Sequence, residues 1–142
     1  MKIKLTEQQY KTLLENNLSY TPERIDQFVV EATKLLTDAS NLKNKHYTNV
    51  VSLSISEVLE NVKYYEQLAE RMDEDHRIIE KQHDKFYNVV ELYDYLDYPE
   101  NVKNLSKIND KIYDTAQDIY HLSNALEEIV SAVEQINRTD QN

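Results

Sequence analysis

Two histidines seven residues apart give this sequence its first suggestion of chemistry. His76 and His83 sit two helical turns apart on one apolar seam, with Asp73, Glu80 and Asp84 beside them. Asp73-x-x-His76 and Glu80-x-x-His83 share the i, i+3 spacing by which helical bundles present a carboxylate and an imidazole to a buried metal. Asp118-x-x-His121 repeats the spacing further along. If the chain folds back as a hairpin near residue 98, position i faces roughly position 197 − i in an antiparallel pair. His76 then faces His121, and Glu80 faces Gln117, next to Asp118. The candidate metal ligands are therefore His76, Glu80, His83, Asp118 and His121. A full dinuclear site would need inward carboxylates from further helices, and the preceding segment offers only Glu31 and Asp38.

The same histidines fit two other roles. A polar layer in an apolar seam fixes helix register, and a buried histidine pair makes association pH-sensitive. Arg77 and His83, with five residues between them, are similar in spacing to the Arg…His pair of helical ribonucleases of the HEPN type. Ile78 stands where that motif carries a polar residue.

A second group of residues suits contact with a partner. Eleven tyrosines stand against two phenylalanines and no tryptophan. Tyr64, Tyr87, Tyr95, Tyr98, Tyr113 and Tyr120 fall on or beside the edges of apolar stripes. Tyrosine buries ring area while its hydroxyl stays hydrogen-bonded, which suits interfaces. The candidate contact patch comprises Tyr87, Tyr93, Tyr95 and Tyr98 with the acidic cluster Glu70, Asp73, Glu74 and Asp75. Residues 54–98 hold 12 acids and five bases, or −7 of the chain's net −10. That density fits a solvated face with i, i+4 pairs, or a surface that imitates nucleic-acid phosphates.

Composition removes several classes of function. With no glycine, no glycine-rich phosphate loop or nucleophile elbow can be built. With no cysteine, disulfides, thiolate metal sites and cysteine nucleophiles are excluded together. The net charge of −10 argues against nucleic-acid binding through a basic surface. The N-terminal Met1-Lys2-Ile3-Lys4-Leu5 lacks the apolar stretch of a signal peptide, and no segment has the length of a membrane span. A cytoplasmic location is expected, with no membrane contact and no cofactor.

Helices must position all of these groups. Strand-rich folds need many turns with positive φ, which a chain without glycine supplies at a cost. Thr6 and Gln9 read as a capping box for a short helix over 7–17. Thr21-Pro22 is an N-cap and first-turn pairing, and Ile25, Val29, Ala32, Leu36 and Ala39 follow at 4-3 spacing. Ser54 with Glu57 reads as another cap, placing a boundary near 52–55. From Ser56 to Asp97 the pattern runs unbroken through Val58, Val62, Tyr65, Ala69, Met72, His76, Ile79, His83, Phe86, Val90 and Tyr93, five heptads in length. Pro99 stops that helix and opens the last one, striped by Leu105, Ile112, Ala116, Ile119, Leu126, Val130 and Val133.

The sequence thus predicts a single all-α domain over 1–142, an elongated antiparallel helical bundle with coiled-coil-like packing. Its elements are a short helix (7–17), long helices over 22–52, 56–97 and 100–137, and a polar tail over 138–142. The leading functional expectation is a non-enzymatic protein–protein interaction module whose partner is another protein, with homodimerisation completing the wide stripes. A small acidic regulator or inhibitor of the kind a phage or other mobile element encodes fits this. The alternatives are a metal-binding bundle using the His/carboxylate cluster, and an acidic nucleic-acid mimic.

Overall fold

The computed structural model describes residues 6–7, 21–93 and 99–141. Among them the chain is an all-α helical bundle with no strand. Its helices are α1 (Pro22–Val51), α2 (Ile55–Glu60), α3 (Val62–Glu91) and α4 (Glu100–Gln141). The helix expected over 7–17 lies, but for Glu7, outside the described residues, as do Tyr95 and Tyr98.

Each long helix starts and stops for a local reason. Thr21 Oγ1 accepts the Arg24 N–H at 3.2 Å, and Pro22 occupies the first turn, where no N–H is needed. α1 ends at Ser52 without any left-handed residue: Ser52 keeps right-handed dihedrals and donates its N–H to Thr48 O. Ser54 then caps α2, its Oγ accepting the Glu57 N–H at 3.2 Å, as the spacing of those residues suggests.

Three boundaries differ from the sequence expectation. The helix drawn unbroken from 56 is interrupted at Asn61, whose dihedrals (φ −149°, ψ 52°) leave the helical region. Asparagine competes poorly for helix interiors because its side chain favours non-helical backbone. α3 ends at Glu91, with a turn at Leu92 and Tyr93. At the other end the helix continues through Gln141, so residues 138–141 are helical and not a tail.

α4 is the central element. α1 and α3 rest on it from two sides and touch each other far less. α1 runs parallel to α4: Asn101 Nδ2 donates to Asp26 Oδ1 near their starts, and Lys43 pairs with Asp118 further along. α3 runs antiparallel: Asn109 Nδ2 donates to His83 O at 3.1 Å, and Ser123 Oγ to Ala69 O at 2.9 Å. At 1.5 Å per residue the 42 residues of α4 span about 63 Å.

The stripes become the core. Ile25, Phe28, Ala32, Ala39, Ile79, Phe86, Val102, Leu105, Ile112, Ala116 and Ile119 form one buried cluster. Val50, Val58, Ala69, Met72, Leu126, Val130 and Val133 form a second, toward the α2 end. Among the described residues no helix is long and apolar enough to cross a membrane.

Candidate functional site

α1 covers one flank of α4 and leaves the seam between α3 and α4 open on the other. Two columns of residues at seven-residue spacing border that seam. Glu66, Asp73, Glu80 and Tyr87 stand on α3; Tyr113, Tyr120, Glu127 and Glu134 stand on α4. Because the helices are antiparallel, acids meet acids at one end and tyrosines meet at the other.

The tyrosine end is built on the histidines. His83 packs its ring against Tyr113 (centroids 5.2 Å apart) and stacks with Tyr87 (6.0 Å, 23° between planes), while its Nδ1 lies 3.1 Å from Asp84 Oδ1. His76 lies against Tyr120 at 4.9 Å. Glu80 Oε2 approaches His76 Nε2 to 2.7 Å, an ion-pair contact out of line for a hydrogen bond, and Asp73 Oδ1 is 3.8 Å from Nδ1. Tyr87, Tyr113 and Tyr120 each keep about 36–48% of their surface exposed. Their rings are therefore held by buried neighbours and still open to a partner.

The acidic end carries more carboxylates than cations, although Arg138 lies 4.0 Å from Glu134. An open groove of about 660 Å³ runs along α3, lined by the carboxylates of Glu70, Asp73, Glu74, Glu80, Asp84 and Glu127 against Arg77 and Lys81, with the exposed Ile78 among them. Arg77 is already engaged by Asp73 at 2.8 Å. The acidic surface continues where Glu66, Glu70, Glu127 and Glu134 line one recess. There a hydrogen bond with Glu134, desolvation and the charges of Glu134 and Glu70 push the Glu66 carboxyl pKa upward, with Lys63 opposing. Beside the seam, burial first, then Glu57 and Tyr64, raises the Tyr65 phenol.

The predicted metal ligands are not brought together. His76 and Glu80 meet, but His83 turns to Asp84, and Asp118 lies on the opposite flank of α4, bound to Lys43 at 3.0 Å. His121 is exposed and touches Tyr120. Among the described residues no group of three or more His, Asp or Glu side chains is placed to hold a metal ion. Arg77 and His83 diverge by about 120° around α3, so they do not share a site.

The predicted contact patch is partly reassigned. Tyr87, Glu70, Asp73 and Glu74 border the open surface. Tyr93 does not: at 5% exposure it belongs to the core, where its place in the apolar stripe puts it. Asp75 faces α1 instead, 3.1 Å from the buried His46 Nε2. Sequence reasoning missed His46, although Ala39, Leu42, His46 and Val50 continue the stripe of α1 at 3-4-4 spacing. It also missed Glu66, Glu127 and Glu134, whose signal was the heptad interval they share with the neighbouring acids and tyrosines.

No protein-family model matches the chain, and no curated protein or solved structure matches it significantly.

Proposed function

We propose that this protein is a helical protein–protein interaction module, a small acidic regulator or inhibitor whose α3–α4 seam receives a basic amphipathic helix. The observation that carries the reading is the pairing of like charge across the seam. Glu66 and Glu134 face each other over a recess also lined by Glu70 and Glu127, and three exposed tyrosines stand further along the same seam. Like charges so placed repel, and a cation laid between them relieves the repulsion. Tyrosine faces attract the same cations. A helix with Lys or Arg at seven-residue spacing would match both columns, in the manner of helix-in-groove recognition. The lack of cysteine fits action in a reducing cytoplasm.

The test is an anisotropy titration with a labelled amphipathic peptide carrying Lys at heptad positions, against the same peptide carrying Glu. The Lys peptide should bind and the Glu peptide should not. Tyr113→Ser/Tyr120→Ser and Glu127→Lys/Glu134→Lys should each weaken binding about tenfold or more. Equal binding of both peptides, or unchanged affinity in both variants, refutes the reading.

The carboxylate row also favours a second reading, imitation of a nucleic-acid backbone toward a nucleic-acid-binding protein. That reading predicts competition with duplex DNA, affinity that falls steeply with salt, and no effect of the tyrosine substitutions.

A further inference from the structure

Eleven large hydrophobic side chains stand exposed among the described residues. Five of them, Tyr47, Val51, Ile55, Leu59 and Tyr64, fall between positions 47 and 64, at 39–63% exposure. They are distinct from the tyrosines of the α3–α4 seam. Tyr47 and Val51 lie one turn apart on α1, and Ile55 and Leu59 one turn apart on α2. Their neighbours Val50 and Val58 enter the same core cluster. Both helices therefore rest on one support, joined by the short turn at 52–54. Tyr64 follows at the start of α3, its ring edge-on to Tyr65 and under the Arg71 guanidinium.

This corner is also where the negative charge of the chain falls away. Between residues 45 and 64 the charged side chains are Lys45 and Lys63 against Glu57 and Glu60, which cancel, while Lys43 is engaged by Asp118 of α4. The whole chain carries −10. Two copies brought together on almost any other face would meet with negative charge on both sides, which opposes association. Here like meets like at near neutrality, with lysines and glutamates both present. The area is also of the right order. A stable interface takes about 800 Å² from each partner, of which some 450–500 Å² is apolar. Five large side chains at roughly half exposure offer several hundred Å².

We propose that the α1–α2 corner is a self-association surface, on which a second copy of this chain docks corner to corner about a two-fold axis. Such an isologous contact uses the same patch twice and closes as a dimer.

Light scattering and sedimentation equilibrium on the full chain test this. The wild type should be a dimer. Val51→Glu/Ile55→Glu should raise the dimer dissociation constant about a hundredfold or more, with the far-UV helix signal unchanged. Val30→Glu, on a comparably exposed position of α1 about 30 Å from Val51 along the helix, should leave the dimer intact. A second measurement does not depend on the glutamate variants folding. The chain has no cysteine, so Ile55→Cys should form a disulfide-linked dimer on mild oxidation, and Val30→Cys should not. A wild type that stays monomeric at its highest soluble concentration, a dimer that survives Val51→Glu/Ile55→Glu, or equal cross-linking at positions 30 and 55 overturns the proposal.

Discussion

The narrow contact between α1 and α3 is built around one aromatic pair, with His46–Asp75 and Glu31–Lys85 beside it, and the energy of the pair can be measured. Phe28 and Phe86 are 4% and 2% exposed, with ring centroids 6.0 Å apart and planes at 71°, an edge-to-face contact. Arg24 stands 4.5 Å over the Phe28 ring, and Lys85 reaches both rings. Replacing either ring by alanine would cost about 3–5 kcal/mol, a large part of the total stability of a chain this size, so leucine is the better probe. Phe28→Leu and Phe86→Leu should each cost about 1–2 kcal/mol, because leucine keeps most of the buried area but not the shape. The pair adds about 0.5–1.5 kcal/mol beyond burial, so the double variant should be less destabilised than the sum of the singles by that amount. With about 2.1 cal/mol/K of unfolding entropy per residue, 142 residues give about 0.3 kcal/mol/K, and each single should lower Tm by about 3–7 °C. Urea unfolding followed by far-UV circular dichroism, with calorimetry for Tm, supplies all four corners of the cycle. Single costs of the expected size with a coupling of zero would refute the reasoning. The rings would then be buried separately, and α1 would be tied to α3 only by polar contacts such as His46–Asp75.

The cross-seam polar groups give further expectations. Glu66 has its carboxyl pKa raised in the folded state. Its contribution to stability is therefore present below the unfolded carboxylate pKa and lost as pH rises through the folded one. Glu66→Gln should raise Tm at neutral pH, with the gain shrinking as pH falls into the carboxylate range; a gain that grows toward acid would show the sign to be wrong. Ser123→Ala should cost about 1 kcal/mol by urea midpoint, because the Ala69 carbonyl it leaves still accepts within its own helix. Asn109→Leu should be neutral or stabilising in the same assay: the lost bond to His83 O is offset by removing a buried Oδ1 that has no hydrogen-bond partner among the described residues.

Helical class and core were legible because the stripes are long. Apart from the half-buried His83, the heptad positions from Ala69 to Val90 and from Leu105 to Val133 are residues that the bundle buries. The centrality of α4 was not legible. All three long helices carry wide stripes, and only contacts on two flanks, Lys43 to Asp118 on one and His76 to Tyr120 on the other, show which helix lies between the others. The interruption at Asn61 had no proline or glycine to announce it. The candidate metal site failed by a small error in register. The pairing of i with 197 − i set His76 against His121 and His83 against Asp114, but the rings they meet are Tyr120 and Tyr113, one position earlier. One residue on a helix is a rotation of about 100°, enough to turn His121 outward and to put tyrosine where an imidazole was expected.

That shift also bears on how the two exposed surfaces relate. With tyrosine facing His76 and His83, the α3–α4 seam becomes aromatic at one end and acidic at the other, and it repels a second copy of an acidic chain. The α1–α2 corner is apolar and near neutral, and it lacks the excess of carboxylates that draws a basic helix. The two surfaces therefore select opposite occupants through the same rule of charge. Glu127→Lys/Glu134→Lys acts on the seam, and Val51→Glu/Ile55→Glu on the corner. A loss of peptide binding with the dimer intact, and the reverse, is what separate surfaces require. A variant that abolished both would mean that the recognised partner binds only where two copies meet.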